Sequence, residues 1–173
     1  MQTTARKSPE PHRPTEDALP IETLGLDEME RGLLAVLRHF LNSFSEPESQ
    51  SWQMGFAIAA ERWGETSGPR RAMALLTVVQ AMRRARPVAF RHANPLCPSC
   101  RGFVTPEEAS LMRMLQAMRR DWTAEARELV AEVTCGRLDS TLIRTGLSLA
   151  TILPEREEHM APRVTHRGLA LVH

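Results

Sequence analysis

Three observations place this chain in the all-α class. Alanine, leucine, methionine, arginine and glutamate dominate, tyrosine is absent, and β-branched and aromatic residues are modest in number. Apolar residues recur at i, i+3 and i+4 through successive windows. Capping residues precede several of those windows, and glycine or proline follows them. Together they predict an irregular bundle of five or six helices over residues 23–154, with a loop at 87–105 in its middle. A disordered tail is expected over 1–22 and a flexible tail over 155–173. The 173 residues suit one domain with a sizeable core.

Taken in order, the first helix starts near Asp27, with Met29, Leu33, Leu37, Phe40 and Phe44 on one face. Ser45-Glu46-Pro47 breaks it. The second runs from about Glu48 to Trp63, carries Trp52 and Phe56, and stops at Gly64. The third follows Ser67-Gly68 with Pro69 at its first position, and carries Met73, Leu76, Val79 and Met82. Its apolar girth marks it as the central helix. Thr105-Pro106-Glu107-Glu108 is the clearest start, a capping box ahead of Leu111, Met114, Leu115 and Met118. Thr123 is placed to cap a fifth helix with Leu129, Val130 and Val133, ended by Gly136. Asp139 is placed to cap a sixth, with Leu142, Ile143 and Leu147, ended by Pro154. Gln80-Ala81-Met82-Arg83-Arg84 recurs as Gln116-Ala117-Met118-Arg119-Arg120. Both copies read as helix endings, where arginine offsets the macrodipole.

The stretch from Pro87 to Pro106 carries the chemical information. Cys97 and Cys100 form a C-x-x-C pair, and His92 precedes Cys97 by five positions. Such a turn brings two sulfurs close enough for one tetrahedral zinc ion. Pro98 stiffens it, and Gly102 is expected at a positive φ. Cys-Pro-Ser-Cys-Arg-Gly resembles the C-P-x-C knuckle of zinc ribbons and rubredoxins over this turn alone, with Arg101 where those knuckles carry glycine. The resemblance implies a structural zinc on Cys97 and Cys100. There is no second C-x-x-C, so His92 is the third candidate ligand and Cys135 the fourth, ahead of His39, water or a partner chain. The same turn resembles the redox turn of glutaredoxin-like and thioredoxin-like proteins, but no βαβ pattern surrounds it. The simplest alternative is a pair of reduced thiols with no ligand.

The formal net charge of +1 makes no global demand for nucleic acid. Lysine occurs once, at Lys7, a usage that fits a GC-rich, bacterial-like genome. Three cysteines are not a disulfide scaffold, and neither a secretory signal nor a bilayer-length apolar run is present, so the expected compartment is cytoplasmic and reducing. The leading expectation is a non-enzymatic regulatory or adaptor module that binds a protein partner, with a zinc-stapled turn. A DNA-binding transcriptional regulator is the alternative, with Arg83, Arg84, Arg86, Arg91 and Arg101 meeting phosphates and Glu128 to Arg144 faintly resembling a helix-turn-helix. A metal-dependent hydrolase comes last, with Glu107 or Glu108 as base. Both glutamates are also what a helix N-terminus prefers.

Overall fold

The computed structural model describes residues 15–154. Among these lie six α-helices: α1 (Glu28–Ser45), α2 (Trp52–Trp63), α3 (Ser67–Ala85), α4 (Pro106–Arg119), α5 (Thr123–Val133) and α6 (Ser140–Ala150). Two short strands, β1 (Leu19–Pro20) and β2 (Phe103–Val104), pair antiparallel with Leu19 opposite Val104. The expected tail over 155–173 lies outside the described residues. The expected tail over 1–22 is corrected at its inner end. Strand β1 pairs with β2, Ile21 N–H donates to the Gly102 carbonyl at 2.9 Å, and a 3-10 turn (Ile21–Leu24) buries Leu24. Polar, proline-rich composition hid this pairing, because the partner strand lies far along the chain.

The helix starts follow local chemistry. Asp27 accepts from Glu30 N–H at 2.8 Å, and the Glu30 carboxylate accepts from Asp27 N–H at 3.0 Å, which closes a capping box on α1. Thr105 and Glu108 close the expected box on α4, and Asp139 caps α6 through Leu142 N–H at 2.7 Å. Thr123 does not cap α5. It is the first helical residue, preceded by Trp122. The second helix begins at Trp52 rather than Glu48, since a separate 3-10 turn (Pro47–Ser49) intervenes and Gln50 turns the chain at φ 46°.

Helix α1 shares the centre of the bundle with α3, each packed against three other helices. Leu33, Leu34, Val36, Leu37, Phe40 and Leu41 are all buried, and α2, α3 and α4 pack around them. Helix α3 leaves Met73 about half exposed, so its apolar girth overstated its enclosure. Helix α4 is sealed more completely: from Glu108 to Met118 only Arg113 is exposed. Close approach of α2 to α3 needs Gly68, where a β-carbon would run into the Ala59 backbone.

Two buried polar networks fix α4 on α1. At its start, Arg38 of α1 forks onto Glu108, Nε to Oε1 at 2.8 Å and Nη2 to Oε2 at 3.0 Å. Arg38 Nη2 also donates to the Phe103 carbonyl, while Ala93 N–H and Thr105 N–H donate to the same carboxylate at 3.2 and 3.0 Å. At the other end of α4, Gln116 Nε2 donates to Glu30 at 2.9 Å and Arg119 Nη1 donates to Asp27 at 2.6 Å and Glu30 at 3.2 Å. Arg119 also donates to the Pro154 carbonyl from Nε and Nη2, so the segment after α6 is tied in as well.

Removing one member of a buried pair leaves an uncompensated charge, which costs about 3–5 kcal/mol. Glu108→Ala should therefore lower the unfolding free energy by about that amount in urea titrations. The joint replacement Arg38→Met with Glu108→Leu should cost much less than the single change.

Candidate functional site

The C-P-S-C turn is built as a tight loop on the flank of α1. The Asn94 side chain accepts from Leu96 N–H at 2.8 Å and its carbonyl accepts from Cys97 N–H at 3.2 Å, a local turn that delivers Cys97. Pro98–Cys100 then forms a 3-10 turn, with Cys100 N–H donating to the Cys97 carbonyl at 3.2 Å. Gly102 has no positive φ; its carbonyl serves Ile21 instead. Both cysteines are buried and reduced.

The two thiols are chemically unequal. Hydrogen bonds from Cys100 and Ser99 hold the Cys97 thiol below its ordinary value, and the Ser99 hydroxyl lies 3.1 Å from its sulfur. Burial pushes the Cys100 thiol up, and the neighbouring Cys97 adds to the effect. His92 and Cys100 line a common cavity of about 270 Å³, together with Asn42 of α1 and Glu46 just after it. Burial lowers the His92 pKa, which favours the neutral, ligand-competent imidazole.

The sequence-predicted ligand set is only partly gathered. Cys97 and Cys100 are neighbours, and His92 shares a wall with Cys100. Cys135 sits apart on the exposed turn after α5, at φ 59°. Among the described residues no group of three or more His, Cys, Asp and Glu side chains is arranged to hold a metal ion. His39 is occupied by Ser51, with Nδ1 and Oγ 2.7 Å apart. Glu108, considered as a base, has both oxygens taken by Arg38 and backbone amides, and Glu107 accepts from Arg91 Nε at 2.7 Å.

The arginines considered for phosphate contact divide in two. Arg83 lies over the Phe44 ring at 3.7 Å, Arg86 donates to the Val133 carbonyl at 2.5 Å, and Arg91 pairs with Asp17 and Glu107. Arg84 and Arg101 stay exposed without an ion pair among the described residues. Helices α5 and α6 do not form the mutually packed pair of a helix-turn-helix: α5 packs on α4, and α6 on α3 and α4.

A second feature had no sequence signal. Met118, Ala126, Val130 and Ile143 form the floor of an apolar groove of about 140 Å³ between α4, α5 and α6. Trp122 and Leu147 flank it, exposed at 49% and 45%. Leu147 belongs to the apolar set read from the sequence for α6, but period alone could not say that this position faces outward. Compared with known proteins, the chain matches no family model, no curated protein and no solved structure.

In metal-free protein, Cys97 should alkylate before Cys100 as pH rises toward the thiol range, read by peptide mass spectrometry; equal rates would contradict the asymmetry. His39 and His92 both have pKa values lowered by burial from 6.5. The unfolded chain then binds more protons than the folded one near that pH, so stability present above 6.5 falls as pH drops below it. Urea titrations across the imidazole range should show this loss, and joint replacement of both histidines by glutamine should flatten it.

Proposed function

We propose that this chain is a non-enzymatic regulatory or adaptor module that docks a protein partner in the groove between α4, α5 and α6. The observation that carries the reading is the pair of half-exposed side chains, Trp122 and Leu147, beside a formed apolar floor. Apolar side chains left open around a concave surface mark interaction sites, and tryptophan is a preferred anchor there. The partner chemistry that fits is an apolar segment, with Arg127 and Asp121 at the groove available for polar contacts. The non-catalytic part of the reading is supported by Glu108, whose two oxygens are engaged by Arg38 and backbone amides.

In this reading the knuckle is a staple. A structural zinc would take Cys97 and Cys100 as thiolates and His92 as a neutral imidazole, with the fourth position filled by water or by the partner chain. The closeness of the two buried thiols, with His92 on the same cavity wall as Cys100, supports it.

Two experiments test the proposal. A photo-reactive phenylalanine at Leu147 should give one discrete protein adduct in cells, and Trp122→Ala should abolish it; the same probe at Met73, exposed on α3 outside the groove, should give none. No adduct at Leu147, or the same adduct from both positions, overturns the docking groove. Protein purified without chelator should carry about one zinc per chain. Cys97→Ser and Cys100→Ser should lose it and Cys135→Ser should keep it. Metal-free protein with both thiols freely titratable would remove the staple.

A further inference from the structure

A recess of about 430 Å³ lies between α1, α2 and the knuckle, away from the groove just described. Its wall is unusually basic. Arg31 of α1, Arg62 of α2 and Arg101 of the knuckle all line it, and none of the three makes an ion pair among the described residues. Arg38 also reaches this wall, but Glu108 already neutralises it. Among the described residues Glu61 is the one carboxylate lining the recess, so the three arginines there exceed it by two positive charges. The whole chain carries a net charge of only +1. Leu34, Ile58 and Pro95 supply an apolar side to the same recess.

The three guanidinium groups come from three separate segments, so no sequence motif collects them. Guanidinium forks match tetrahedral oxyanions, and three of them lining one concavity favour a doubly charged group over a single carboxylate. The volume lies in the range of small-molecule sites and is concave, unlike a face for duplex nucleic acid. His39 lines the recess with its Nδ1 engaged by Ser51, which fixes the imidazole ring in place.

We propose that this recess binds a phosphate dianion, either free phosphate or the terminal group of a small phosphate monoester. Arg31, Arg62 and Arg101 hold the oxygens, and the apolar side accepts the body of a monoester. The site does not depend on the partner groove, because it shares no lining residue with it.

Calorimetric titration of the full chain with inorganic phosphate and with phenyl phosphate tests this. At low ionic strength at least one of them should bind saturably. Arg62→Gln and Arg101→Gln should each weaken binding about tenfold, the loss of one charge-assisted contact. Arg144→Gln, on the exposed side of α6, should leave it unchanged, and circular dichroism should confirm that every variant is folded. Tighter binding of phenyl phosphate assigns the site to a monoester; equal binding assigns it to free phosphate. Absence of saturable binding by both, or binding that survives joint replacement of Arg31, Arg62 and Arg101, overturns the proposal.

Discussion

The Arg38–Glu108 pair is the constraint on which the remaining architecture depends. A carboxylate with no exposed surface must have its lone pairs filled from within the protein. Glu108 meets that demand with two bonds from Arg38 and one each from Ala93 N–H and Thr105 N–H. Each donor comes from a different place: the middle of α1, the loop ahead of the knuckle, and the cap of α4. Arg38 in turn reaches the Phe103 carbonyl in β2. Hydrophobic burial is non-directional and could not set these segments in one register. The directional bonds can, and they seat the cysteine turn on the bundle.

Helix α4 is held by charge at both ends and by apolar contact between them. Gln116 and Arg119 bind the capping box of α1, so the residues that start one helix also anchor the end of another. The repeated pentapeptide shows how far context decides. In α3, Arg83 lies on the Phe44 ring and Arg84 is exposed. In α4, the equivalent of Arg83 is Arg119, whose side chain is 5% exposed and bonded to α1 and Pro154. A macrodipole argument describes the first copy adequately. It misses the second, where the partner carboxylates lie about ninety positions away along the chain.

The candidate sites follow from this frame. The knuckle presents two unequal thiols because Cys97 gathers hydrogen bonds while Cys100 is buried against it. Its flanks also supply Pro95 and Arg101 to the basic recess, so a single loop builds parts of two distinct surfaces. The apolar groove lies elsewhere, on α4, α5 and α6. The arginine-lined recess and the apolar groove thus share no lining residue.

By itself the sequence determined the all-α class, the helix start near Asp27, the capping box at Thr105, the Asp139 cap and the closeness of Cys97 to Cys100. All of these are set by residues within a few positions of each other, where spacing translates directly into geometry. Only the tertiary structure decided that α4 packs on α1, that residues 19–20 form a strand, that Cys135 stands apart from the other thiols, and that Arg31, Arg62 and Arg101 share one recess. Each depends on contacts between distant segments, and a local period reports which face is apolar without naming what covers it. Arg38 left one trace, a charge set between Leu37 and Phe40 in an otherwise apolar face. Its partner, seventy positions on, became visible only when the helices packed.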